Sequence, residues 1–274
     1  MEKNKNRLTK KQIEFLNRYI DGKWTYNTET GLVDVDGHFQ CCNKRLKTLY
    51  GIKFGIVRGN FLIEKNNLTS LEGSPQEVGG VFSCAYNKIT SLKGAPQKVW
   101  QSFYCHYNQL TSLEGAPQHV FLTFSCNNNK LTSLKGSPQD IGAHYECNNN
   151  QLTSLEGGPK EVAEGFACYD NNLTSLEGGP QHVGYHYICE GNNLTNLKGA
   201  PKNLDGSFIC TKNKLVTLEG LSENEKRGEF ICDHFTLKRG EWNTEGWIEV
   251  FKEGSREAKQ LVYSMIKHPN PNVM

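Results

Sequence analysis

Apolar residues in the middle of this chain recur on a fixed template. Each unit reads leucine, two polar residues, leucine, a charged residue, glycine, a small residue, proline, two polar residues, valine, three variable residues, Phe-x-Cys and, three residues after the cysteine, asparagine. The first leucine-type position falls at Leu68, Ile89, Leu110, Leu131, Leu152, Leu173, Leu194 and Leu215, each 21 residues from the last, and Leu46 and Leu237 extend the series by one step of 22 at either end. A fixed period of this length predicts a solenoid. One such unit cannot bury its own apolar face, so successive copies stack and share a core.

Each fixed residue has a physical task in that reading. In Phe124-Ser125-Cys126 the apolar positions alternate, which predicts a short strand with Phe and Cys inward. The asparagines at 66, 87, 108, 129, 150, 171, 192 and 213 follow the strand, where a buried amide ladder can satisfy turn backbone and link coils. Both leucines of the Leu-Thr-Ser-Leu block point into the core. Glycine at 73, 94, 115, 136, 157, 178, 199 and 220 turns the chain. Proline at 75, 96, 117, 138, 159, 180 and 201 disfavours a regular helix on that side. Val78, Val99, Val120, Val162 and Val183, with Ile141 and Leu204, close the core. Glu72, Lys93, Glu114, Lys135 and Glu156 alternate in sign, then Glu177, Lys198 and Glu219; at an inter-coil spacing of about 4.8 Å opposite signs attract.

The repeats occupy residues 38–237. Residues 1–37 read as an N-terminal cap. Thr9 and Gln12 form a capping-box signal, Ile13, Leu16 and Ile20 an apolar stripe running to Gly22, and Trp24–Tyr26 and Leu32–Val35 short strands around a turn at Asn27–Gly31. Residues 238–274 read as a C-terminal cap. It contains Trp242, Trp247, Ile248, Val250 and Phe251, then a helix over 255–267 with Ala258, Leu261, Val262, Met265 and Ile266 on one face and Pro269 and Pro271 as its stop. A solenoid has two open ends to cover, which gives both flanks a structural task.

Composition narrows the function. The formal charge of +2 gives no basis for bulk attraction to nucleic acid or a membrane surface. No run of about 18 apolar residues is present, so no membrane-spanning helix is expected, and the basic opening MEKNKNRLTKKQ lacks the apolar stretch of a signal peptide. Of the 10 cysteines, Cys84, Cys105, Cys126, Cys147, Cys168, Cys189, Cys210 and Cys232 share one repeat position; Cys41 is a ninth, and Ile63 takes the slot once. This is a column of small buried residues rather than a disulfide framework, and it fits a reducing, cytoplasmic setting. No C-x2-C spacing suggests zinc, and the histidines have no metal-site spacing. No Gly-rich nucleotide loop or H-E-x-x-H motif occurs. Asn67, Asn172 and Asn193 begin glycosylation sequons that lie inside the scaffold. A non-enzymatic protein needing no cofactor or metal is expected, with oligomeric state left open.

The pattern L-x-x-L-x-x-x-P-x-x-V-x-x-x-F-x-C-x-x-N-x-L resembles a leucine-rich repeat, over about 200 residues. It is most similar to the short bacterial subtype of secreted effectors, some of which end in a ubiquitin ligase domain. Here Glu-Gly replaces that subtype's first proline, and one extra residue precedes the strand. The LTSLEGAPQ-x-V wording also resembles proteins encoded by tailed bacteriophages. The resemblance implies a parallel sheet on a concave face, a mostly irregular convex side, and a binding module acting on a protein partner. It points to a host factor or host-defence protein met in the host cytoplasm. The alternative is a virion or surface adhesin that binds glycan or receptor. The ligase effectors use a cysteine near an aspartate, which singles out Cys232-Asp233-His234, but Cys232 occupies the buried repeat slot and about 40 residues follow it.

Recognition is expected where the frame varies. With Phe and Cys inward, the residues before, between and after them face the concave side in three columns. Tyr104, His106, His144, Glu146 and Tyr169 form the expected centre, with Tyr104 and Tyr169 exposed. Tyr86 and Tyr107 lie at the rim, and Asn127, His186, Ile188 and Glu190 extend the surface. Tyrosine gives large contact area with a polar tip and suits a protein interface. Ile188, Ile209 and Ile231 form an apolar row, its last member a candidate for packing under the C-terminal cap.

Overall fold

The computed structural model describes residues 7–221, 228–239, 241 and 244–266, apart from the side chains of residues 244, 245, 251, 264 and 266. The expectations for Trp242, Pro269 and Pro271, and for the side chains of Phe251 and Ile266, lie outside those residues. The chain divides into two units, residues 1–130 with 136–140 and residues 131–135 with 141–274. Each is a parallel β-solenoid built on the repeat.

In the first unit, helix α1 (Lys10–Tyr19) begins at the Thr9 capping box: the Gln12 amide N–H donates to Thr9 Oγ1, and the Gln12 side chain accepts from Thr9 N. Its buried residues are Phe15 and Leu16, while Ile13 is exposed and Ile20 already starts the next strand. The stripe read as Ile13–Leu16–Ile20 is therefore displaced by the ring of Phe15, which packs against Tyr19, Phe39 and Tyr50. Strands β1 (Ile20–Tyr26) and β2 (Leu32–Gln40) form an antiparallel hairpin. β2 then runs directly into the repeats: Phe39 pairs in parallel with Phe61, and Val33 pairs with Phe54 of β3 (Lys53–Val57). The hairpin thus covers the first coil and supplies its first strand residues.

Every coil that follows contributes two two-residue strands. One is the Phe-x strand: Phe61, Phe82, Phe103 and Phe124 pair in register in the first unit. Tyr145, Phe166, Tyr187, Phe208 and Phe230 do so in the second. The rings stack face to face, as between Phe103 and Phe124 (5.5 Å, 14°) and between Tyr187 and Phe208 (5.3 Å, 5°). The other strand ends at the core valine: Val57, Val78, Val99 and Val120 form a second parallel ladder, and so do Val162, Val183 and Leu204. Sequence reading assigned Val78, Val99, Val120, Val162, Val183 and Leu204 to the core but not to strands, and did not single out Val57. The proline two residues before each strand restricts φ without blocking the pairing that follows.

The core holds what the repeat predicts. Cysteines 41, 84, 105, 126, 147, 168, 189, 210 and 232 are buried, Cys42 is half-buried, and all ten are free thiols. Burial pushes the Cys41 thiol up to about 12 and raises Cys84, Cys105, Cys168, Cys189 and Cys210 well above the ordinary value, because the thiolate would lose its hydration. Tyr187 places a hydroxyl where most coils have phenylalanine. Gly179 leaves it room, since a Cβ there would sit 3.3 Å from Tyr187 Oη, and the buried hydroxyl interacts with the Cys168 thiol.

The asparagine column performs the task assigned to it. Asn108 Nδ2 donates to the carbonyls of Cys84 (3.0 Å), Cys105 (3.1 Å) and His106 (3.3 Å), and its Oδ1 accepts from Ile89 N (3.0 Å). Asn87 also donates to the Cys84 carbonyl and Asn129 to that of Cys105. Each of these cysteine carbonyls lies just past a two-residue strand, so two asparagine amides take the place of a strand partner. The charge column behaves differently. In the second unit Lys198 meets Glu219 (3.1 Å), whereas among the described residues of the first unit Glu72, Lys93 and Glu114 form no ion pair. These side chains are exposed, and ordering two of them in water gains little.

At the C-terminal end Phe230–Ile231 pairs antiparallel with Thr236–Leu237. Helices α2 (Thr244–Glu253) and α3 (Arg256–Ile266) follow. Sequence reading found the second helix and not the first. Trp247 is fully buried, edge-on to Phe230 and Phe235, and Ala258, Leu261 and Val262 are buried on α3.

Candidate functional site

The variable columns on the outer side of the Phe-x strands separate into scaffold and surface. In the column before the strand, polar side chains accept the backbone N–H of the next coil. His38 Nδ1 accepts from Asn60 N (2.9 Å), Asn60 Oδ1 from Val81 N (2.9 Å) and Ser102 Oγ from Thr123 N (3.3 Å) in the first unit. In the second, His144 Nδ1 accepts from Gly165 N (3.2 Å) and His186 Nδ1 from Ser207 N (3.0 Å). The chain bends here between its two ladders, which leaves a backbone donor that a side chain must meet. His144 also meets Glu164 through Nε2 (2.8 Å). His144 and His186, read as recognition residues, are thus bound to the scaffold.

The expected centre is split between the units: Tyr104 and His106 belong to the first, His144, Glu146 and Tyr169 to the second. Tyr104 and Tyr169 are half-buried rather than exposed. Side chains in a β-ladder stand about 5 Å from their neighbours, so a ring loses one face or an edge to the next coil. Also in the second unit, Ile188 pairs with Ile209, which pairs with Ile231, and all three are half-buried. Glu190 meets Lys212 Nζ (2.7 Å) and holds that ammonium above the usual lysine range by hydrogen bonding.

The first unit carries the densest feature. Tyr86 and Tyr107 stack at 4.4 Å and 8° and remain 43% and 46% exposed. His106 stands edge-on to Tyr86 (5.4 Å), Tyr104 (5.7 Å) and Tyr107 (5.9 Å), and its Nδ1 lies 3.3 Å from Ser125 Oγ, which also accepts from Asn127 Nδ2 (3.0 Å). Lys65 Nζ sits over the Tyr86 ring at 5.7 Å. Tyr86 and Tyr107 adopt left-handed backbone, φ +54° and +51°. The fold demands this conformation once per coil: Asn128, Asn149, Asp170 and Gly191 meet it with residues that adopt it readily, whereas Lys65 and Lys212, like the two tyrosines, do not. What sets the two tyrosines apart in this column is a stacked pair of large rings left open to solvent.

A second exposed group went unread in the sequence. Trp100 and Phe121 stack at 4.9 Å and are 49% and 55% exposed, with Leu122 beside Phe121 in the chain and Trp100 Nε1 donating to Glu77 (2.9 Å). The signal was available: this column reads Gly79, Trp100, Phe121, Gly142, Ala163, Gly184, Asp205, and two large rings among small residues stand out. The segment from Trp100 to Tyr107 therefore carries an exposed aromatic stack at each end.

Nothing at Cys232 makes a nucleophile. Its thiol is buried 3.4 Å from the Phe235 carbonyl and raised above the ordinary range by burial, and Asp233 accepts from Lys212 N and Asn213 N. Among the described residues no His, Cys, Asp and Glu group could hold a metal ion, and no helix is long and apolar enough to cross a membrane.

No protein-family model and no curated protein matches this chain. Among solved structures, YopM from Yersinia enterocolitica WA-314 is similar, with a TM-score of 0.48 and 17% identity over 72% of this chain and 55% of that one. The chain spans about half the length of that protein.

Proposed function

We propose that this protein is a binding module whose first unit grips a protein partner through the Tyr86, Tyr104, His106 and Tyr107 cluster. The observation that carries the reading is the pair of stacked, exposed tyrosines with His106 edge-on to both. The ten free thiols and the phage-like wording of the repeats support a host cytoplasmic setting, with a host or host-defence protein as the partner. The Trp100–Phe121 stack would border the same interface.

The test is affinity for a partner captured from host cytosol, with purified virions as the parallel source that an adhesin would favour. Replacing both Tyr86 and Tyr107 with alanine is expected to weaken binding by about 30-fold or more, the scale of a 2 kcal/mol hot spot, while the melting temperature stays within a few degrees. Unchanged affinity in that variant, with loss on Trp24→Ala, would move the site to the N-terminal cap.

A further inference from the structure

The formal charge of +2 conceals an asymmetry. Residues 1–66 hold 13 Lys and Arg against 7 Asp and Glu, a net of +6, which leaves −4 on the remainder. Between Asp36 and Glu72 the sole acidic residue is Glu64, which accepts from Ser83 Oγ (2.9 Å). In the first unit, Lys47, Thr48, Asn67, Thr69 and Lys88 line an open cleft of about 500 Å³. Its lining offers ammonium, hydroxyl and amide donors and no carboxylate. Among the described residues, no acidic group lies within 4.0 Å of the Lys47 or Lys88 ammonium; the one ion pair of this basic stretch is Arg58 with Asp36. Uncompensated cations around a cleft focus a positive potential into it.

We propose that this cleft is an anion site that takes the carboxylates of an acidic polypeptide segment, separate from the aromatic cluster and independent of what that cluster binds. A single-stranded nucleic acid would favour an open ring face on which to stack a base. Tyr50, two residues from Thr48, packs edge-on to Phe15 with Lys11 over its ring, and Tyr86 lies between the Tyr107 ring at 4.4 Å and Lys65. Lysines as point charges suit single carboxylates, and the arginine forks that favour phosphate do not line the cleft.

The experiment is fluorescence anisotropy of the whole chain with a labelled oligoglutamate peptide, an oligothymidylate of matched charge and an oligolysine control. Oligoglutamate is expected to bind, to lose about tenfold or more in affinity when Lys47 and Lys88 are both changed to glutamate, and to weaken steeply with salt. Both lysines are exposed, so the variant keeps its core, which circular dichroism verifies. Absence of oligoglutamate binding, binding undiminished in K47E/K88E, or tighter binding of oligothymidylate would each overturn the proposal.

Discussion

Replacing Asn171 with alanine is expected to destabilise the protein by about 3 kcal/mol, while the same change at the next residue, Asn172, costs less than about 0.5 kcal/mol. The two asparagines are adjacent in sequence and opposite in role. Asn171 is buried; its Oδ1 accepts from Leu152 N (3.0 Å), and its Nδ2 donates to the carbonyls of Cys147 (3.2 Å), Cys168 (3.1 Å) and Tyr169 (3.2 Å). Asn172 is exposed. Truncating Asn171 strands the Leu152 N–H inside the core, worth about 1–3 kcal/mol, and removes further bonds worth about 1 kcal/mol each. Chemical denaturation of the two variants measures the difference. Equal midpoints would mean that the amide ladder does not tie the coils together.

Gly115→Ala is expected to cost as much or more. Gly115 has φ +92°, and a Cβ there would stand 2.8 Å from the Leu92 carbonyl oxygen and 3.0 Å from Lys93 N. Both neighbours are backbone of the preceding coil, so neither can swing aside. The left-handed conformation alone costs an alanine about 1–2 kcal/mol, and the collision adds to that by prising two coils apart. Lys88→Ala serves as the control, since that side chain is exposed. A Gly115→Ala variant that melts with the parent protein would contradict the close stacking of coils at this corner.

These two positions also show why so much of the frame was legible. Asn171 and Gly115 recur at one spacing because each meets a backbone requirement that every coil repeats. A requirement repeated eight times is visible in one chain without relatives to compare. The cysteine slot and the inward phenylalanines were readable for the same reason, and the capping box at Thr9 by its own Thr-x-x-Gln spacing. The valine ladder was not, because two residues are too few to show an alternation of period two. Helix α2 was missed where aromatic and acidic residues crowd a short segment whose periodicity is weak.

The surface was less legible because variation alone does not say which way a side chain points. His144 and His186 vary within their column as recognition residues do, yet the backbone N–H of the next coil occupies their Nδ1. Tyr86 and Tyr107 were read as rim residues, and the sequence did not show that their rings stack on each other at 4.4 Å. Trp100 and Phe121 lay one bend outside the three columns considered. The chain's charge, nearly balanced as a whole, hid a basic N-terminal end.

The most direct test of the frame is thiol alkylation read by mass spectrometry. The native protein should take up label at Cys42 alone, which is half-buried, while the nine buried cysteines stay protected by packing and by thiols held in the protonated form. Denaturation without reductant should then expose all ten to label. Native labelling along the column from Cys84 to Cys210, or thiols that stay unlabelled after unfolding because they are paired in disulfides, would contradict a core built from one inward cysteine per coil.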